Sequence, residues 1–444
     1  MKKVISLILV LTMCFAFSSC LAEPESHNLA LAAKAMEVNH SDSKQEGYEE
    51  FIDKLDYFAA KLTYEVYADS NKRSNICISP VSVYMALALA TECANGETRE
   101  EILNAVGVTY DEVKTFTKVL YAFSNREYYY TDIANNEKIL AFEELANSIW
   151  ADKKITLKEE GINNLATNFN CDLFSVNFKN GEGEKAINAY IKEKTHGIID
   201  SDIKLSPDTL ITLINTFYLK EVWNDDGDEL KFTDNAYNFK NADGSVTNTK
   251  LLQGRYADGK VYEGEGYTSF YTRTNHGFDI KFIVPTDGHT LEEVFTADNI
   301  YNINNIGDYE YIDEENKLRH HTRVFFPKYK ASFGGYITEI LKNDFGINKL
   351  FGLGKCDFSN VTDEPIACGG VIHKCSIEVT EKAEARASKT LAKRRGKNNE
   401  KVFNTRSAGS RNAACIGIVR HTVFVGKRNN RYNTARNNTR GNYS

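Results

Sequence analysis

From Phe325 to Thr390 the chain reads as an apolar strand, an amphipathic helix and a second apolar strand, and then continues as Glu381-Lys-Ala-Glu-Ala-Arg-Ala-Ser-Lys-Thr390. That last stretch carries too little apolar surface for a core and lacks the Gly, Pro and Asn of a tight loop. A chain that places such a segment directly after a strand must draw its packed interior from elsewhere.

The rest of the chain can supply that interior. With 444 residues, 42% apolar and 11% aromatic content, it can bury a large core, which excludes disordered, collagen-like and repeat architectures. Only six Pro and no long Gly/Ser-rich stretch interrupt it, so residues 51–444 read as one domain. Ahead of it lie a leader, residues 1–22, and a polar segment, residues 23–50, expected to be flexible. The leader has Lys2 and Lys3, an apolar run from Val4 to Phe17, and Ser18-Ser19-Cys20. This is the pattern of a secretory leader, too short for a comfortable membrane span. Phe17-Ser-Ser-Cys20 also fits a bacterial lipobox with a lipid on Cys20, and ordinary cleavage near Ala22 fits as well. The expected location is therefore extracellular, either secreted or as a cell-surface lipoprotein anchored through Cys20.

Nine Cys are present, two of them in the leader. The other seven are odd in number and widely spaced, which is neither a disulfide framework nor a zinc pattern. Cys77, Cys171 and Cys375 lie in apolar strand-like runs and read as small core residues. Residues 383–444 hold 15 Lys and Arg against two acids, while the remainder holds 39 against 59. No stacked aromatics or nucleic-acid motif accompany this basic tail, so no nucleic-acid partner is expected. HExxH, GxSxG, CxxC and GxxxxGK[ST] are absent, Gly352-Leu-Gly-Lys355 lacks the length of a phosphate loop, and His320-His321 reads as a surface turn. No enzymatic activity, cofactor or metal is expected.

Residues 51–67 have the apolar spacing of an amphipathic helix. Residues 75–80, Asn-Ile-Cys-Ile-Ser-Pro, read as a short buried strand stopped by Pro80. Residues 82–93 form a nearly all-apolar helix that must be covered on most sides, with Ser79 as its cap before Pro80. Gly96 breaks that helix, and Thr98-Arg-Glu-Glu101 reads as a capping box opening the next. Strand-like runs follow at 210–220, 278–284, 323–329 and 371–379.

The order of these motifs resembles the serpins. Asn75 to Val108 resembles the family's strand-helix followed by GxTxxEI. Ala146-Asn-Ser-Ile-Trp150, the helix from Ile187 to Ile198, Leu210 to Lys220 with Trp223, Phe278 to Pro285, Phe325 to Tyr329, Phe345 to Phe351 and Asp357-Phe-Ser359 follow in the family's sequence. The resemblance implies a single α/β (α+β) serpin fold with three β-sheets, eight or nine helices and an exposed reactive-centre loop. It implies a dominant antiparallel sheet with a gap for one more strand. It further implies a monomeric inhibitor of an extracellular serine protease, with no small-molecule cofactor. Such a protein acts as a suicide substrate: the protease cuts the loop, forms an acyl-enzyme, and is carried off as the loop inserts into the sheet.

In the family's register, Glu381 opens a hinge comprising Ala383, Glu384, Ala385, Arg386, Ala387, Ser388 and Thr390. Glu384, Arg386, Ser388 and Thr390 would turn inward on insertion, and the three alanines outward. Burying Glu384 or Arg386 without a partner would cost several kcal/mol, so insertion is expected to be slow or incomplete. Counting on from Glu381 puts the residue before the cut at Lys397, and counting back from Phe403-Asn404 puts it at Arg395. Arg394, Arg395, Lys397 and Asn398 are thus the candidates for the reactive bond, and a basic residue there suits a trypsin-like protease. Trp223, His373 and Lys374 match the region where the loop enters the sheet; for all three a plain packing role is the competing expectation. Beyond Thr390 the resemblance fails except at Val402-Phe-Asn404 and residues 421–427. A shift of reading frame near Lys382 to Ala387 would explain the simultaneous charge reversal, Asn/Arg enrichment and lost strand pattern. Divergence to a non-inhibitory serpin-fold binding or surface protein, whose loop is cut without trapping the protease, would do so as well.

Overall fold

A computed structural model describes residues 25–26, 45–70, 76–131, 137–220, 231–240, 245–256, 261–273, 279–305, 322–327 and 329–379. Helix α1 (Tyr48–Asp69) begins three residues before the expected start, because Tyr48 is itself a core residue. Tyr48, Phe51, Ile52, Leu55, Phe58, Leu62 and Val66 recur at three- and four-residue spacing and all are buried, the stripe of a helix laid on a core. Tyr48 and Phe51 meet the ring of Phe116 at 5.6 and 5.4 Å between centroids. Helix α2 (Pro80–Cys93) is buried at every position except Ala86, as its nearly all-apolar sequence requires.

Helix α3 (Gly96–Val106) starts earlier than the expected box. Asn95 is its cap, accepting from the Gly96 N–H. Thr98 and Glu101 bond instead to a distant segment: the Thr98 hydroxyl accepts from the Asp357 N–H, and the Glu101 carboxylate accepts from the N–H groups of Asn348 and Lys349. A genuine capping box occurs one helix later, where Thr109 and Glu112 close the start of α4 (Tyr110–Phe123). Residues 76–79 form no strand, contrary to expectation. With Pro80 fixed as the first helical residue, this segment is the lead-in to α2, and it meets β15 through the side chains of His373 and Cys375.

The largest sheet contains β1 (Glu25–Ser26), β2 (Arg126–Thr131), β3 (Glu137–Asp152), β4 (Cys171–Val176) and β5 (Ile211–Lys220). β5 runs antiparallel to β3 from Phe142↔Lys220 to Ala151↔Ile211. β3 and β4 are parallel, from Asn147↔Cys171 to Asp152↔Val176, so the expected antiparallel sheet is corrected at this pair. The crossover that parallel pairing demands is α5 (Glu159–Phe169). Helix α6 (Glu182–Lys194) follows β4.

Short strands then make smaller sheets: β6 (Lys231–Phe232), β7 (Tyr237–Lys240), β8 (Val246–Thr249), β9 (Leu251–Tyr256), β10 (Val261–Gly264), β11 (Tyr267–Arg273) and β12 (Asp279–Pro285). Helices α7 (Leu291–Val294) and α8 (Ala297–Asn305) precede β13 (Thr322–Pro327), β14 (Tyr329–Tyr336), α9 (Thr338–Asn343) and β15 (Ile372–Val379). β14 and β15 pair antiparallel from Tyr329↔Val379 to Tyr336↔Ile372.

Three apolar clusters lie between these layers. The largest joins α1 to α5 with one face of the main sheet. A second lies under α6, where Trp150 stacks on Phe174 at 4.1 Å and donates from Nε1 to the Ser148 hydroxyl. The third packs α8 against β11 and β12.

Candidate functional site

Side chains alternate across a strand, and on β5 and β15 they alternate between the same two layers. On β5, Ile211, Leu213 and Phe217 pack into the cluster around α2, while Ile214 belongs to the cluster under α6. On β15, Ile372 packs against the α6 cluster and Lys374 reaches Asp202 at 2.6 Å. His373 and Cys375 turn to the α2 side, where His373 accepts a hydrogen bond from the Ser79 N–H at 3.0 Å and Phe333, opposite Cys375 on β14, joins the large cluster. Yet among the described residues β5 pairs only with β3, and β15 only with β14. Two strands that share both packing layers therefore each keep an edge without a backbone ladder. Such edges are templates for an added strand.

Buried polar groups line this place. His373 is 5% exposed, and burial pushes its ring down to about 4. It is therefore neutral near pH 7, as its acceptor role toward Ser79 requires. On β5, Asn215 donates to Asn147 Oδ1 at 2.7 Å and to the Ala146 carbonyl at 3.3 Å, and Asn147 donates to the Phe169 carbonyl at 2.8 Å. Ser79 Oγ, Asn215 Oδ1 and Thr216 Oγ1 are buried with no hydrogen-bond partner among the described residues. A buried polar atom costs about 1–3 kcal/mol for as long as it stays unpaired. The Lys374 ammonium lowers the Asp202 carboxyl through its hydrogen bond, but Asp202 is exposed and the pair contributes little.

Of the residues singled out in the sequence, the structure places His373 and Lys374 here. Trp223, the hinge from Glu381 to Thr390, the bond candidates Arg394, Arg395, Lys397 and Asn398, and Cys20 lie outside the described residues. Ser79 takes the capping position but makes no side-chain cap; its contribution is the backbone N–H given to His373. Cys171 is fully buried as expected, whereas Cys77 and Cys375 are only half-buried and face one another. Sequence reading gave Asn215 no role, although a lone Asn in the apolar run Leu210 to Leu219 was a visible signal.

The family described as Serpin (serine protease inhibitor) matches residues 53–406. The chain belongs to the serpin family. Alpha-1-antiproteinase S of Cavia porcellus is 26% identical over 344 residues, covering 76% of this chain and 80% of that one. The thermophilic serpin tengpin in its native state superposes with a TM-score of 0.62 at 18% identity, covering 91% of this chain and 93% of tengpin. Thyroxine-binding globulin in complex with thyroxine gives 0.60 at 19% identity, covering 76% and 88%. The α/β serpin fold thus accounts for the nine helices and mixed sheets among the described residues. Within that fold β5 and β15 each keep one edge without a ladder among the described residues.

Proposed function

We propose that this serpin is an exported inhibitor of serine proteases that works as a suicide substrate, its hinge from Glu381 to Thr390 entering between β5 and β15 after cleavage. The observation that carries the reading is the pair of strand edges that have no ladder among the described residues, one of which, β15, ends at Val379 two residues before the hinge. At about 1 kcal/mol net per backbone hydrogen bond, an inserted strand of this length contributes on the order of 5–10 kcal/mol. That is enough to drive a conformational change that no catalytic group of the chain performs. A basic residue among Arg394, Arg395 and Lys397 before the cut directs the loop to a trypsin-like protease, whose pocket carries a carboxylate. The antiproteinase relatives support inhibition as the activity class, and the leader supports an extracellular meeting with the protease.

A second reading, a serpin whose loop is cut without trapping the enzyme, is favoured by Glu384 and Arg386 at positions that turn inward. One experiment separates the two. Equimolar trypsin-like protease is added and the mixture run on a denaturing gel. Inhibition gives a band at the sum of the two masses that survives denaturation; a band of cut serpin alone, nicked between Lys393 and Asn398, overturns the inhibitory reading in favour of the second.

A further inference from the structure

Cys77, two residues ahead of Ser79 in the lead-in to α2, points its sulfur at that of Cys375 on β15, with Sγ to Sγ at 2.8 Å. A disulfide bond is about 2.05 Å long, so the two sulfurs lie within a small shift of bonding. The approach is not an isolated side-chain coincidence. The Ser79 N–H meets His373 Nε2 at 3.0 Å, so residue 77 faces 375 as residue 79 faces 373. That is the register of two chains running antiparallel side by side, and the Ser79–His373 bond fixes it two residues from the sulfur contact. Both cysteines are half-buried, so a small oxidant can reach them.

We propose that Cys77 and Cys375 are a disulfide-forming pair, which on oxidation pins β15 to the start of α2. In the structure the two are thiols. The step is thiol–disulfide exchange with an external disulfide of the glutathione class. One thiolate attacks a sulfur of that disulfide and expels one thiol; the second cysteine then displaces the other. The Sγ–Sγ bond forms, the two cysteine protons pass to the oxidant's sulfurs, and its S–S bond is reduced to two thiols. An extracellular location, as the leader implies, is where such a bond persists.

The remaining described cysteines do not compete. Cys93, Cys171 and Cys368 are buried, and burial raises their thiols; Cys356 is pushed up to about 12 by the same cause. Thiols held protonated are poor nucleophiles. The consequence for the fold is large because the pair spans 298 residues of sequence, and cross-linking so long a segment restricts the unfolded chain strongly. It also fixes the strand that leads into the hinge, although the bond itself does not depend on the inhibitory reading.

The full chain is treated with glutathione disulfide, its remaining thiols are alkylated, and it is digested and mapped by mass spectrometry. A peptide joining Cys77 to Cys375 is expected, absent after reduction. Thermal unfolding with and without reductant gives a second readout. The oxidised protein should melt about 5–10 °C above the reduced one, and the difference should vanish in Cys77→Ala and in Cys375→Ala. Both cysteines recovered alkylated after oxidation, or linked to other cysteines such as Cys415, would overturn the proposal. The mapping is done on the unaltered chain, so a variant that fails to fold does not leave the question open.

Discussion

At the scale of single residues, His373 makes stability depend on pH. Its folded-state value is depressed to about 4, below the ordinary histidine value near 6.5. Between those limits the unfolded chain takes up a proton that the folded one refuses. The stability of the neutral, buried ring is therefore complete above about pH 6.5 and falls as pH drops toward 4, by about 1.4 kcal/mol per unit through the window. His373→Gln, which keeps an acceptor for the Ser79 N–H and cannot titrate, should lose this part of the slope in denaturant titrations from pH 7 to 4. An unchanged slope would mean that His373 protonates as freely folded as unfolded. Lys281 acts at the same scale. Its buried ammonium donates to the Ile303 and Asn304 carbonyls at 2.6 and 3.0 Å, near the end of α8, where a cation complements the helix dipole. Lys281→Met keeps the length and removes the donor, and should cost about 2 kcal/mol, measured as a lowered midpoint of chemical unfolding.

At the scale of elements, Gly161 fixes how α5 meets the segment after Phe358. A Cβ placed there would come within 2.9 Å of Val361 Cγ1 and 3.0 Å of its Cα, besides crowding the Asn360 carbonyl. Backbone is among what it meets, so Gly161→Ala should destabilise by about 1–3 kcal/mol despite alanine's better helix propensity. A stabilised variant would show that the helix can slide away. Elements of this protein were legible in the sequence where one periodic pattern decided them. α1 and α2 fall within a few residues of their expected bounds because an apolar stripe and a nearly all-apolar run each have one helical solution. The β5, β12 and β15 runs were legible for the same reason. Reading failed where partners far along the chain decide. Residues 75–80 look like a strand by composition, but the described residues 76–79 meet the β15 side chains His373 and Cys375 rather than a ladder. Thr98 and Glu101 look like a capping box, but their partners lie some 250 residues away. The parallel pairing of β3 with β4 is set by the α5 crossover, which strand patterns do not record. At the site, His373 and Lys374 were named from the family's strand, whereas the Cys77–Cys375 contact joins two runs that each read as core.

At the scale of the whole molecule, the proposed function treats this serpin as a fold that is incomplete until a strand arrives. The charged hinge should limit how well the arrival proceeds. Replacing Glu384 and Arg386 together by threonine removes two charges from the inward face, and should raise the share of covalent complex over cut serpin at least several-fold on the denaturing gel; an unchanged share would place the limit elsewhere. The most direct measurement of the central claim needs no trapped enzyme. The loop is nicked between Lys393 and Asn398, the protease removed, and thermal unfolding compared before and after. If the hinge fills the space between β5 and β15, the nicked protein gains a strand and its midpoint rises by roughly 5–10 °C, in keeping with the added hydrogen bonds. A midpoint that stays the same or falls would contradict insertion and leave the edges of β5 and β15 without the role assigned to them.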